Sequence, residues 1–235
     1  MIARRAVISG GGSGVGRATA LRLARDGWRV AVLGRRRDPL DQTAALGPPG
    51  LIRAEICDVT DAAAVASLRD RLLAEWQEVD AVVNAAGTNV PRRALDVLSV
   101  DDFREILDVN LVGSFHLAHA FLPAMRRRGE GTIVAIISDA GLIGNAKAGA
   151  GYVASKFGLV GLMESINAEM RQLGIRACAI LPGDIDTPLL DKRPVPPTAE
   201  ARATMLQSED VAECVALALS LPQRAVVEKL LVRPR

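Results

Sequence analysis

Seven short apolar runs alternate with longer segments of helical period along almost the whole chain, and that alternation leaves few architectures open. The runs lie at residues 6–9, 29–33, 51–57, 81–84, 132–137, 176–181 and 226–232. Helical stretches fall near 15–26, 62–76, 100–125, 153–173 and 209–220, with a weaker one at 37–45. Strand then helix, repeated, predicts an α/β fold: a doubly wound parallel sheet of about seven strands flanked by helices. Such strands are covered on both faces and need aliphatic side chains. The chain supplies them, being 49% hydrophobic but only 3% aromatic, with a single tyrosine. Its 235 residues contain no repeat or linker, so residues 1–235 read as one domain. The exception to regularity is residues 186–208, where Pro188, Pro194, Pro196 and Pro197 oppose helix and strand.

Charge and cysteines exclude several function classes. Twenty-nine Lys and Arg against 27 Asp and Glu give a formal net charge of +2, which offers no electrostatic footprint for nucleic acid. Cys57, Cys178 and Cys214 are widely spaced and show no ligand spacing, so reduced buried thiols are expected and no metal site. His116 and His119 lack the intervening Glu of a zinc helix. No run is long enough for a membrane span or a signal peptide, and a cytoplasmic protein is expected.

The segment Ser9-Gly10-Gly11-Gly12-Ser13-Gly14-Val15-Gly16 joins the first strand to the first helix. Glycines there allow a tight turn and close approach of a pyrophosphate, which the free N–H groups of the helix start then bind. A phosphate-binding loop of the triphosphate type needs Lys and then Ser or Thr after a glycine, but Gly16 is followed by Arg17 and Ala18. A dinucleotide in a Rossmann-type fold is the expectation.

The turn resembles the T-G-x-x-x-G-x-G motif of the short-chain dehydrogenase/reductase family, with Ser9 for Thr. Further family motifs follow in order: Asp58-Val59, Asn84-Ala85-Ala86-Gly87, Asn110, Ser138, Tyr152-x-x-x-Lys156, and Leu181-Pro182-Gly183 leading to Thr187. Together they span nearly the whole chain. The resemblance implies hydride transfer between a nicotinamide and a carbonyl or secondary alcohol, within the carbonyl and 3-oxoacyl reductase-like members. It implies that Tyr152 is the general acid/base, that Ser138 stabilises the substrate oxygen, and that Lys156 holds the nicotinamide ribose. Asn110 is then the anchor of a water-linked proton relay. It also assigns the cofactor to Gly10, Ser13, Gly14, Val15, Gly16, Arg35, Asp58, Val59, Asn84, Ala85, Gly87, Tyr152, Lys156, Pro182, Gly183, Ile185 and Thr187.

Spacing adds chemistry of its own. Tyr152 and Lys156 lie four apart on a predicted helix and so share a face, where an ammonium lowers a phenol's pKa. Asp139, directly after Ser138, either tunes the site or faces solvent, and solvent is the expectation. The second strand ends Leu33-Gly34-Arg35-Arg36-Arg37, without the carboxylate that selects NAD. A guanidinium there suits a 2′-phosphate, so NADP(H) is favoured and NAD(H) is the alternative. The substrate is a small-molecule carbonyl or alcohol. Arg126, Arg127, Arg128, Arg171 and Arg176 leave open an acyl carrier protein partner, and hence a 3-oxoacyl-carrier-protein reductase. A dinucleotide-binding sensor without turnover is the rival of another class. The resemblance implies a homotetramer or homodimer, with Phe115, His116, His119 and Phe157 suited to the interface. With three residues after Val232, no long C-terminal tail is expected over a neighbouring subunit's site.

Overall fold

The computed structural model describes residues 3–235. Seven strands, β1 Arg5–Ser9, β2 Arg29–Gly34, β3 Ile52–Ile56, β4 Ala81–Asn84, β5 Gly131–Ile136, β6 Ile175–Pro182 and β7 Lys229–Val232, form one sheet in the order β3-β2-β1-β4-β5-β6-β7. Every pairing is parallel; Val7 stands opposite Ala31 on β2 and Val82 on β4. Between them run α1 Gly14–Arg25, α2 Arg37–Leu46, α3 Ala62–Trp76, α4 Val100–Leu107, α5 Gly113–Arg128, α6 Ala150–Met170, α7 Ala199–Ala203 and α8 Ser208–Ser220.

The period of two along each strand sorts its side chains between two cores. On β1, Ala6 and Ile8 join Val15 and Leu23 of α1, Leu40 of α2 and Val211 and Val215 of α8. Val7 joins the opposite layer with Leu68 and Leu72 of α3, Phe121 of α5 and Leu159 of α6. Among the described residues the largest fully buried side chains are mainly Leu and Ile, with Phe121 the one ring, as the scarcity of aromatics requires.

Two details depart from the expected elements. The helix read at 100–125 is interrupted by one π-helical turn, Asp108–Val112, which carries Asn110. Residues 184–208 are not wholly irregular: a 3₁₀ turn covers Pro188–Lys192, α7 follows, and Ile185 bridges to Leu206. Proline at the first position of a helical turn costs nothing, because its missing N–H has no partner there anyway. Among the described residues, no helix is long and apolar enough to cross a membrane.

The strand order reverses direction between β1 and β4, so the loops after these two strands diverge and open a crevice at the carboxyl edge of the sheet.

Candidate active site

The glycine turn lies on one side of this crevice and is closed by backbone contact. Gly10 has φ +67°, and a Cβ there would lie 2.7 Å from the Ala85 carbonyl oxygen. A Cβ on Gly16 would come within 2.4 Å of the Gly10 carbonyl oxygen, so only hydrogen fits at either place. Ser9 does what its Thr counterpart's hydroxyl would do: its Oγ accepts from the backbone N–H of Ala85 and Ala86, both at 3.1 Å, and so ties the ends of β1 and β4 together. Ser13 precedes α1 without a side-chain cap, leaving the first N–H groups of the helix for a ligand. Arg17, where a triphosphate loop would differ, is spent on structure: it donates to Gly12 O at 2.5 Å and Thr43 Oγ1 at 3.0 Å.

Two adjoining cavities occupy the crevice. The larger, about 530 Å³, runs from Gly10, Gly14 and Gly16 past Ser138, Tyr152 and Lys156 to Pro182, Gly183, Ile185 and Thr187. The smaller, about 240 Å³, is lined by Gly12, Ser13, Arg35, Asp58 and Val59. A glycine cradle, a free helix start and cationic side chains fit a dinucleotide. Ala85 and Gly87 also line the larger cavity, whereas Asn84 lines neither. Asn84 is buried, and neither polar atom of its side chain has a partner among the described residues. Asn84 thus stands apart from the other expected cofactor residues, with its side chain buried at the end of β4.

Tyr152 and Lys156 do share one face of α6, with Lys156 Nζ 5.3 Å from the centre of the tyrosine ring. Lys156 is 3% exposed and its Nζ donates to Ile136 O at 3.2 Å; no carboxylate pairs with it. Burial lowers its pKa to about 8. Burial also pushes the Tyr152 phenol up, to about 12, and Asp139 adds to the rise. The Ser138 hydroxyl and then Arg93 and Arg193 oppose it. The expected lowering by Lys156 is not found: burial sets the direction, and the cations that oppose it are Arg93 and Arg193. A phenol with this pKa is protonated at neutral pH and able to donate.

Asn110 is fully buried and its side chain is committed. Its Oδ1 accepts from Thr88 N at 2.7 Å, while Nδ2 donates to Thr88 O at 3.1 Å and to Ser155 Oγ at 3.0 Å. Ser155 in turn donates to Tyr152 O at 2.7 Å. Asn110 therefore braces the post-β4 loop against the helix that carries the tyrosine, and it lines neither cavity.

Asp139 is half-buried at the rim of the larger cavity: it lines the cleft, lies 3.5 Å from Arg233 Nε, and its Oδ1 accepts from Ser138 Oγ at 3.4 Å. Arg233 and Pro234 line the cleft too, so the short stretch after β7 contributes to its own chain's site. Sequence reasoning missed Arg93 and Arg193, which also line it. Neither stands in a motif; both reach the cleft through loops whose course depends on tertiary contacts. The arginines considered for a protein partner are partly consumed. Arg128 pairs with Glu78 and Asp80, Arg171 with Glu228, and Arg176 is buried against Thr132 and three backbone carbonyls.

The family model described as short chain dehydrogenase matches residues 4–195. The chain belongs to the short-chain dehydrogenase family. Like its relatives, this short-chain dehydrogenase is an oxidoreductase with a single Rossmann-like sheet. It is 35% identical over 191 residues to 2-dehydro-3-deoxy-L-rhamnonate dehydrogenase (NAD(+)) of Sphingomonas sp., across 81% of this chain and 76% of that protein. A metagenomic short-chain oxidoreductase solved in complex with NADP superposes with a TM-score of 0.84 at 30% identity, covering 99% of this dehydrogenase and 97% of that chain. An alcohol dehydrogenase from the archaeon Thermococcus sibiricus, complexed with 5-hydroxy-NADP, gives 0.84 and 30%, covering 98% and 96%.

Proposed function

We propose that this short-chain dehydrogenase interconverts a small carbonyl compound and its secondary alcohol with NADP(H), and that Tyr152 carries the proton. The observation that bears most weight is the joint placement of the Tyr152 phenol, the Ser138 hydroxyl and the buried Lys156 ammonium in a cleft continuous with the glycine turn. A surface tyrosine and lysine pair would need no burial and would not meet a serine at a strand end.

In this reading the substrate carbonyl oxygen lies between Tyr152 Oη and Ser138 Oγ. Tyr152 delivers its proton to that oxygen as negative charge develops, and Ser138 donates a hydrogen bond to the same atom. The bound nicotinamide supplies the hydride to the substrate carbon, or takes it in the reverse direction. Lys156 holds the ribose and keeps a positive charge beside the phenol. Asn110 acts through Thr88 and Ser155 as a positioning residue. The pyrophosphate rests on Gly10, Ser13, Gly14, Val15 and Gly16, with Ala85 and Gly87 alongside, while Pro182, Gly183, Ile185 and Thr187 hold the nicotinamide end. Asp58 and Val59 receive the adenine. Arg35 is exposed at the end of β2, in the smaller cavity, where it meets a 2′-phosphate; the NADP complexes of similar enzymes support this choice. The enzyme assembles as a homodimer or homotetramer through α5 and α6, on which Phe115, His119 and Phe157 are exposed. His116 is turned inward, its Nδ1 2.9 Å from Val59 O.

The test is Tyr152→Phe. Turnover of a panel of ketones and aldehydes with NADPH should fall by ~100-fold or more, the loss expected of a general acid, while NADPH binding measured by its fluorescence persists. An unchanged rate would overturn the role of Tyr152. Binding of NADPH without turnover of any carbonyl by the unsubstituted enzyme would favour a sensor.

A further inference from the structure

The substrate end of the cleft carries more positive charge than carbonyl chemistry requires. Five cationic side chains against two carboxylates line the larger cavity. The carboxylates are already engaged: Asp184 accepts from Arg193 at 2.5 Å, and Asp139 faces Arg233 at 3.5 Å. Arg93 differs from those two arginines. It is 7% exposed, comes from the loop between β4 and α4, and has no acidic partner among the described residues. A buried guanidinium left without an anion is costly, and such a group persists where a counter-ion arrives with a ligand.

Its geometry is fixed before any ligand comes. Nε donates to Val90 O at 2.7 Å and Nη2 donates to Lys192 O, so two backbone carbonyls hold the plane of the guanidinium. The stem packs where a Cβ on Gly149 would lie 2.7 Å from Arg93 Cβ, which seats the arginine against the start of α6, three residues before Tyr152. Among the described residues Nη1 has no hydrogen-bond partner, and it is left for the cleft that Arg93 lines. Arg93 and Tyr152 are close enough to influence each other's charge, and burial together with Arg193 holds the Arg93 pKa below the ordinary guanidinium value.

We propose that Arg93 is the residue that recognises a substrate carboxylate, so that the compound reduced or oxidised at Tyr152 is an oxo acid or hydroxy acid. This assignment rests on the oxidoreductase reading for the reacting carbon, but the carboxylate subsite is argued from Arg93 independently of that reading. Neutral carbonyl compounds of the same size leave the guanidinium unpaired and bind less well for that reason. The loop 184–208 contributes to the subsite through its backbone, since the Lys192 carbonyl orients Arg93 while Lys192 Nζ donates to Thr88 Oγ1 at 2.8 Å.

The experiment pairs short-chain oxo and hydroxy acids with their neutral primary amides. Binding to the enzyme in the presence of NADP is followed by calorimetry and thermal shift, and turnover is measured separately. The unsubstituted enzyme should bind at least one acid ~10-fold or more tightly than its amide, and Arg93→Gln should abolish that preference. Arg93→Lys should retain part of it, because charge survives while the planar fork does not. A structural role alone would weaken acid and amide equally. No acid preference in the unsubstituted enzyme overturns the assignment, even if Arg93→Gln fails to fold, and so does a preference that survives in Arg93→Gln. Acid-selective binding without hydride exchange would remove the oxidoreductase reading and leave the subsite. Turnover of neutral carbonyls without acid preference would do the reverse.

Discussion

Replacing Lys156 by Met should make the protein more stable in the absence of cofactor, and the gain should vanish as the pH is raised. The ammonium is buried against Ile136 O with no ion-pair partner among the described residues, and its pKa falls from 10.5 to about 8. A lysine whose folded pKa is depressed binds fewer protons in the native than in the unfolded chain between those two values. Stability therefore rises with pH across that window, and the penalty is complete below pH 8. At pH 7 the shift corresponds to about 3 kcal/mol. Met removes that cost but leaves the Ile136 carbonyl without its donor, which takes back about 1 kcal/mol. The net expectation at pH 7 is a stabilisation of about 2 kcal/mol, shrinking to near zero at about pH 9.5, where only about 1 kcal/mol of the penalty remains. Cys57 and Cys178, whose thiols burial pushes up to about 11 and about 12, titrate equally in both proteins. They cancel when the two urea-unfolding curves are compared at each pH and at fixed protein concentration. A substitution that destabilises at pH 7, or a difference that does not change with pH, would refute the reasoning. The variant should also lose turnover, so the gain in stability would measure what the site costs the fold.

Two further outcomes follow from the surface at the ends of the sheet and helices. Arg35→Ser should raise the KM for NADPH by ~10-fold or more and change that for NADH little, since a charge-assisted bond to a phosphate is present only in the former; equal effects on both in initial-rate assays would remove Arg35 from 2′-phosphate recognition. Phe115→Asp combined with Phe157→Asp should shift the mass seen by light scattering towards the 24.9 kDa monomer, because charge in an apolar interface is left unpaired on association; an unchanged mass would place the interface elsewhere.

What was legible in the sequence was what repeats or is strictly local. Strand positions came within about three residues because burial on both faces imposes continuous apolar runs. The glycine turn and the pair Tyr152 and Lys156 were legible because turn geometry and helical spacing involve near neighbours. The misses depend on contacts distant in sequence. Asp139 was expected in solvent, yet it lines the cleft, 3.5 Å from Arg233, 94 positions on. Arg93 owes its place to Lys192, 99 residues away. The Tyr152 pKa was expected to fall on the strength of its charged neighbour, but burial, which spacing does not reveal, decides its direction. Asn84 matched a motif yet lies outside both cavities.

The π-helical turn at Asp108–Val112 has a consequence for how this chain tolerates insertions and deletions. An α-helix turns by about 100° per residue, and a π-helical turn takes one extra residue into a single wide turn, so the helix beyond it keeps its place while the sequence pattern steps by one. Ile106 before the turn and Leu117 and Phe121 after it are all buried, and the turn between them carries the buried Asn110. Removing a single residue from 108–112 would restore uniform winding and leave both halves against their partners, but it would take away the bulge that carries Asn110 to Thr88 and Ser155. A deletion there would therefore cost the site its brace before it cost the fold its helix.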